Sequence, residues 1–329
     1  METKISLNDK IFVAGGSGMV GSSILRKLKN NGYKNIFYPN RKELNLFNYQ
    51  LVKNWFAKNK PHIVIIAAAK VGGIYANSKY PGDFLIENLK IQTNIIECSW
   101  EVGVKRLLFL GSSCIYPKLS RQPIKEEFLL ESSLEKTNES YAVAKIAGLK
   151  LCESLRKQYG FDAISLMPTN LYGPKDNYHS ENSHVVASLI KKFITAKFKN
   201  LPEVTCWGTG SVLREFLHVN DLAEAVIFCM REWHPSNINA PKDSQGEVLN
   251  HLNVGTGKEI SIIKLAEMIS KIVDYKGKIL WDKTKPDGTP RKLLDVSRIN
   301  NLGWKASIDL EKGLRETIKG LDLKKFNSF

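Results

Sequence analysis

At 329 residues, with 43% hydrophobic and 25% charged residues, the chain is long enough to bury a sizeable core and has the composition of a soluble globular protein. Its 48 basic residues outnumber 33 acidic ones, but the net charge of +15 is scattered, with no recognition helix, zinc-finger spacing or arginine-rich arm. That excludes nucleic acid as the expected partner, and the longest apolar run, 63–69, is too short to span a bilayer, which excludes a membrane span.

The chain begins with a polar decapeptide that leads straight into Lys10 to Ala14, a short apolar strand, and offers no signal-peptide pattern. Gly15, Gly18 and Gly21 follow at once in a GxxGxxG spacing, ahead of a helix over Met19 to Asn30. Glycines between a strand and a helix let the backbone turn tightly and let a pyrophosphate approach the helix N-terminus. A second strand, Asn35 to Pro39, ends beside Arg41, about twenty residues past the loop. An acidic residue there would hold the ribose hydroxyls of NAD, whereas an arginine accommodates the 2′-phosphate of NADP, so the expected cofactor is NADPH.

Helix Leu51 to Asn59, strand His62 to Ala69, the loop Lys70 to Ile74, helix Phe84 to Val102 and strand Leu107 to Gly111 come next. Alternating helices and near-continuously apolar strands predict a parallel, doubly wound α/β sheet. The strand at 107–111 runs into Ser112, Ser113 and Cys114. Tyr141 and Lys145 then stand four apart, on one face of a helix that runs to about Tyr159 with Ala144, Gly148, Leu151 and Leu155 on its core stripe. A fixed ammonium near a phenol favours its ionised form. A serine hydroxyl at the strand end could share a carbonyl oxygen with that phenol. Together they form an apparatus for protonating a carbonyl as a hydride arrives.

Strand Ala163 to Met167 leads to PTNLYGP (168–174), which is expected beside a nicotinamide. From about 175 the character changes. A helix over Val185 to Ala196 is preceded by Asn182, Ser183 and His184, and a strand and turn at CWGTG (206–210) precede REFLHVND (214–221). The helix Leu222 to Met230 is expected to pack back on the sheet, and 234–246 reads as a surface loop. LNVGTG (252–257), a helix to about Val273 and KPDGTPRKLLD (285–295) complete a smaller part. The expected division is a dinucleotide-binding domain over 1–174, with a return segment near 212–232, and a mixed α/β, mainly substrate-binding part over 175–329. Five cysteines (Cys98, Cys114, Cys152, Cys206, Cys229) show neither CxxC nor paired spacing and fit a reducing cytosol, so a cytoplasmic location is expected and no metal site.

GGSGMVG, AAAKVGGI, GSSCIYP, YAVAKIAG, MPTNLYGP, NSHV, REFLHV, NVGTG and KPDGTPRKLLD, in this order, resemble the GDP-L-fucose synthase family of extended short-chain dehydrogenases/reductases with a Rossmann fold. The resemblance covers essentially the whole chain, and GSSCIYP and NSHV are far more specific than the glycine loop or YxxxK. It implies a homodimer in which one site epimerises C3 and C5 of a GDP-4-keto-6-deoxymannose and then reduces C4 with NADPH. Tyr141 would protonate the C4 oxygen, Lys145 would hold the ribose and tune the tyrosine, and Ser112 would hydrogen-bond the keto oxygen. Cys114 and His184 would be the base and acid of the epimerisation. The implied cofactor contacts are Gly15, Gly18, Met19, Val20, Gly21, Arg41, Ala68, Leu110, Ser112, Tyr141, Lys145, Pro168, Asn170, Leu171 and His184. The GDP-sugar would meet Ser113, Asn170, Lys192, Trp207, Arg214 and Asp287. One position departs from the pattern: some members carry an arginine in the glycine loop where this chain has Ser17, which leaves Arg41 more alone in selecting NADP. Motifs for the sugar ring do not see what lies beyond C5, so a C4-reductase of a related GDP-4-keto heptose is the competing expectation. A non-catalytic cofactor sensor is a remote one, because both Tyr141 and Lys145 are intact.

Overall fold

Residues 5–179 and 182–322 are described in a computed structural model. Along the chain come β1 (Ile11–Ala14), α1 (Met19–Asn30), β2 (Ile36–Phe37), α2 (Tyr49–Asn59), β3 (Ile63–Ile66), α3 (Ile74–Lys79), α4 (Pro81–Glu101), β4 (Arg106–Leu110), α5 (Glu139–Tyr159) and β5 (Ala163–Pro168). Then follow β6 (Asn170–Tyr172), α6 (Val185–Phe198), β7 (Glu203–Trp207), β8 (Leu213–His218), α7 (Val219–Glu232), β9 (His251–Val254) and β10 (Glu259–Ser261). The last elements are α8 (Ile262–Val273), β11 (Lys278–Asp282), β12 (Arg291–Lys292), α9 (Ser297–Asn301) and α10 (Leu310–Lys319).

Six parallel strands form the main sheet in the order β2-β1-β3-β4-β5-β9. Every residue of β1, β3, β4 and β5 is buried, as sheets covered on both faces require. Helices α1 and α7 pack side by side, as do α2, α4 and α5, giving the two layers of a doubly wound fold. The order reverses between β1 and β3, so a crevice opens at the carboxyl ends of these strands, where such folds bind ligands. Gly148 lets α5 approach closely: a Cβ there would come within 2.7 Å of Phe109 and 2.8 Å of Gln92.

A second hydrophobic core lies among α6, α8, α10 and the strands β7 and β8, with Phe193, Phe216, Leu265, Ile269 and Leu314 at its centre. Around it, β8 pairs with β6, β10 and β12, and β7 pairs with β11. The chain returns to the large core more widely than 212–232. LNVGTG begins inside β9, the sixth strand of the main sheet, and Leu294, Val296, Ile299 and Trp304 pack against the same core. The sequence periodicity missed this because β9 is four residues long and its neighbour β5 is remote in sequence.

Two other differences are local. Strands β2 and β3 are shorter than their apolar runs, and the loop after β3 turns into the short helix α3 at Ile74. Arg106 on β4 is fully buried and its guanidinium is saturated. It pairs with Asp162, donates to the carbonyls of Met230 (2.8 Å) and Trp233 (3.0 Å), and meets His234 at 2.9 Å, tying the end of α7 to the sheet. No helix of the described residues is long and apolar enough to cross a membrane.

Candidate active site

At the mouth of the crevice the β1–α1 loop has the geometry of a phosphate cradle. Gly15 has φ +82°, and a Cβ there would meet the Ala68 backbone at 2.7 Å, which places Ala68 against the loop. A Cβ on Gly21 would lie 2.1 Å from the Gly15 carbonyl, whereas at Gly18 the nearest atom is 3.6 Å away. Gly18 caps α1 without a side-chain hydrogen bond, so the N–H groups at the head of this twelve-residue helix, beginning with Met19 and Val20, have no side-chain acceptor. These are the features a dinucleotide pyrophosphate fits. Past β2, Tyr38 packs on Gly16, and the exposed Arg41 guanidinium lies over the Phe47 ring at 4.7 Å. An arginine held by an aromatic face beside an exposed loop is positioned to meet a phosphate.

The carboxyl end of β4 carries the next groups. Its strand stops where Ser112 turns outward and caps a single 3₁₀ turn, Ser113–Ile115, accepting from the Cys114 N–H at 3.2 Å. Ser113, the first residue of the turn, is buried. The Ser112 hydroxyl reaches the Tyr141 phenol from the first turn of α5. Lys145, one turn further on, is buried and donates to the Leu110 carbonyl at 2.8 Å. Burial brings its pKa down to about 7.

The expectation that Lys145 eases ionisation of Tyr141 is not met in this arrangement. The ammonium lies 5.9 Å from the centre of the phenol ring and donates to the Leu110 carbonyl. Burial, reinforced by the nearby Cys114, pushes the phenol up, and the Ser112 hydrogen bond opposes this only in part. Desolvation wins. Tyr141 therefore keeps its proton at neutral pH, which is the state a proton donor needs.

Cys114, only half-buried, is approached by two donors: Asn138 Nδ2 at 3.3 Å and Lys292 Nζ at 3.5 Å from its Sγ. Sequence reasoning named neither. Lys292 is 178 residues away, and only the pairing of β12 with β8, Lys292 beside Arg214, brings it here. Its one available signal was its place within KPDGTPRKLLD.

His184 caps α6 without a side-chain bond to the helix. Burial among the cleft walls, then the charge of Lys292, hold its imidazole below the usual histidine range. The loop from Val71 to Gly73 braces this segment, with the Gly73 N–H donating to Asn182 O at 3.3 Å.

At the end of β5, Pro168 pairs in register with Val254, while Leu171 is partly buried against the large core. Asn170 donates its amide to the Glu215 carbonyl at 2.8 Å, so it braces β8. Glu215 itself is buried, and its carboxylate accepts from the N–H groups of Thr256 (2.6 Å), Gly257 (2.7 Å) and Leu294 (3.0 Å). An unmet buried N–H costs about 1–3 kcal/mol, so three of them justify a carboxylate there although burial pushes its pKa up.

The remaining predicted residues line the second core's rim. Lys192 donates to Thr205 O at 2.7 Å and lies 5.7 Å from the Trp207 ring centre. A groove of about 320 Å³ between α6 and β7 is lined by Ser183, Ser188, Lys192, Thr195 and Thr205. Trp207 is half exposed, with Lys285 5.6 Å from its ring centre. Arg214 donates to Leu213 O and Asp287 O, and burial lowers its pKa. The Asp287 carboxylate is engaged by the Thr209 N–H (2.8 Å) and hydroxyl (2.9 Å), which fixes the turn after β7.

Residues 11–240 match the model of the NAD dependent epimerase/dehydratase family. Over 311 residues the chain is 54% identical to "Probable GDP-L-fucose synthase 1" of Oryza sativa subsp. japonica, covering 94% of this chain and 91% of that protein. It is 51% identical to GDP-L-fucose synthase of Escherichia coli (strain K12) over 308 residues, covering 94% and 95%. Among solved structures, a GDP-mannoheptose C4 reductase from Campylobacter jejuni with NADP bound superposes with a TM-score of 0.85 at 34% identity, covering 99% of this chain and all of that one. A glycine cradle, a Ser–Tyr–Lys group on β4 and α5, and whole-length similarity at this level lead to one conclusion: the chain belongs to the NAD dependent epimerase/dehydratase family and, within it, to the GDP-L-fucose synthases.

Proposed function

We propose that the protein converts a GDP-4-keto-6-deoxymannose to GDP-L-fucose, epimerising C3 and C5 and then reducing C4 with NADPH. The observation that carries this reading is the meeting of Ser112, Tyr141 and Cys114 at the end of β4, where one carbonyl can face all three. A ketone at C4 acidifies the protons at C3 and C5, because the enolate spreads charge onto the oxygen. Cys114 takes a proton from one ring face, the electrons move to O4, and His184 returns a proton from the other face. Ser112 and the neutral Tyr141 donate hydrogen bonds to that oxygen throughout. When bound, NADPH supplies a hydride to C4. Tyr141 then gives its proton to the forming alkoxide, and Lys145, carried between charged and neutral forms near pH 7, fixes the ribose and restores the tyrosine's proton.

The test is to incubate the protein in deuterium oxide with NADPH and either GDP-4-keto-6-deoxymannose or a GDP-4-keto heptose, and to identify the products by NMR. GDP-L-fucose carrying deuterium at C3 and C5 is expected from the first. The second reading, a heptose C4-reductase, draws on the similarity to the Campylobacter jejuni reductase. It is carried if the heptose is reduced and the hexose gains no deuterium.

Cofactor selection falls to Arg41, since Ser17 supplies no second cation in the glycine loop. Arg41→Ala should raise the KM for NADPH much more than that for NADH; equal changes would show that another group reads the 2′-phosphate. The protein is further proposed to form a homodimer through α4 and α5, which leave Ile86 and Val143 exposed on their outer faces. Sedimentation should give twice the 37.1 kDa chain mass at micromolar concentration, and a monomer alone would contradict it. The five unpaired cysteines accord with a cytoplasmic location, which cell fractionation can check.

A further inference from the structure

If Cys114 is the base of the epimerisation, some group must keep its thiol in the basic form. A thiol removes a proton from carbon only as the thiolate, and an uncharged environment disfavours that state. We propose that Lys292 is the positioning residue of the epimerisation: its ammonium holds the Cys114 sulfur as thiolate and aims it at the sugar ring, with Asn138 as the second, neutral donor. This rests on Cys114 acting as the base.

The geometry makes the case. Two N–H donors converge on one sulfur, at 3.3 and 3.5 Å, and one of them is cationic. A sulfur that accepts from two donors is favoured in its anionic form. Among the described residues the Cys114 sulfur is the hydrogen-bond partner of the Lys292 ammonium, which no carboxylate neutralises.

The strap that carries Lys292 is fixed on both sides. The Leu293 N–H donates to Gln122 Oε1 at 2.8 Å and the Leu294 N–H to the buried Glu215. Ile124 exchanges backbone bonds of 2.8 Å with Leu293 and Asp295, and Asn253 Nδ2 donates to Asp295 O at 3.2 Å. So many constraints on a segment of four residues hold the lysine's backbone in place whether or not substrate is present.

Other charged groups face the same sulfur. Arg214 on β8 adds positive charge, but its guanidinium is turned to the Leu213 and Asp287 carbonyls. Glu135, ahead of α5, lines the same hollow and would oppose the thiolate, yet its carboxylate lies 2.7 Å from Lys118. Tyr141 on α5 is neutral, and His184 at the head of α6 feels the charge of Lys292. Lys292 is therefore the cation in contact.

The experiment reads the thiol directly. Cys98, Cys152, Cys206 and Cys229 are buried, so the rate of iodoacetamide alkylation of the full chain against pH reports Cys114, with Cys114→Ser as the blank. Lys292→Met keeps the length and removes the charge. It should raise the alkylation midpoint by about one pH unit or more, since an opposite charge at this range shifts a titration by about 1–3 units. Lys292→Arg should restore most of the shift, and deuterium exchange at C3 and C5 near neutral pH should fall in Lys292→Met and recover as pH is raised. Lys292→Gln serves if the methionine variant fails to bind NADPH. An unchanged midpoint overturns the proposal, even if exchange is lost, because Lys292 would then be acting as a proton donor or by shape. Should Cys114→Ser keep full exchange, the base is elsewhere and the reading of the site fails. A midpoint unmoved in Lys292→Met, with exchange lost in Cys114→Ser, overturns only the role of Lys292.

Discussion

Tyr141→Phe is expected to lower the rate of C4 reduction by roughly 10²–10⁴-fold, the range for removing a general acid. The ring stays, so its edge contact with Phe84, at 6.5 Å between centroids, and the packing of α5 are kept. Folding and NADPH binding should be close to those of the parent protein. The phenol's loss also removes a donor to the C4 oxygen during epimerisation, so exchange of deuterium should slow, though less than reduction, because Ser112 still donates. Single-turnover loss of NADPH absorbance measures the first effect and NMR the second. A variant that reduces at nearly the parent rate would place the acid elsewhere.

The second large effect is expected at Cys114. Cys114→Ser replaces a thiol by an alcohol that does not ionise near neutral pH, so exchange of solvent deuterium into C3 and C5 should be lost. The ketone, Tyr141 and the cofactor cradle are unaffected, and an already epimerised keto sugar should still be reduced. That split is the informative result. Loss of both activities would mean that the turn at 113–115 is structural and that Cys114 contributes its shape, since the same turn positions Ser112. Retention of both would remove Cys114 from the mechanism.

The sequence was most legible where function and local structure coincide. A GxxGxxG between a strand and a helix is a local pattern, and two of its glycines, Gly15 and Gly21, occupy the positions where a Cβ would strike the Ala68 backbone or the Gly15 carbonyl. Tyr141 and Lys145 were readable because helical spacing alone puts them on one face. The error concerned their electrostatics. Proximity suggested an ammonium beside a phenol, but burial pushes the phenol up and the lysine down, and burial is not visible in a spacing. Lys292 and Asn138 were illegible for a related reason: each is brought to Cys114 by a chain reversal that no periodicity encodes. The short β9 was hidden too, since four buried residues do not distinguish a strand of the main sheet from one of a smaller sheet.

That sixth strand governs when the protein can finish folding on the ribosome. β5 is buried along its whole length and would stand as an unprotected sheet edge until residues 251–254 have been synthesised. Arg106 would likewise sit in the nascent core without the Met230 and Trp233 carbonyls that receive it. Leu294, Ile299 and Trp304 join the same core later still. The N-terminal half therefore does not mature as an autonomous unit ahead of translation. Ribosome-stalled chains ending before β9 should be sticky, protease-sensitive and dependent on holding chaperones, whereas chains extended past Trp304 should release them.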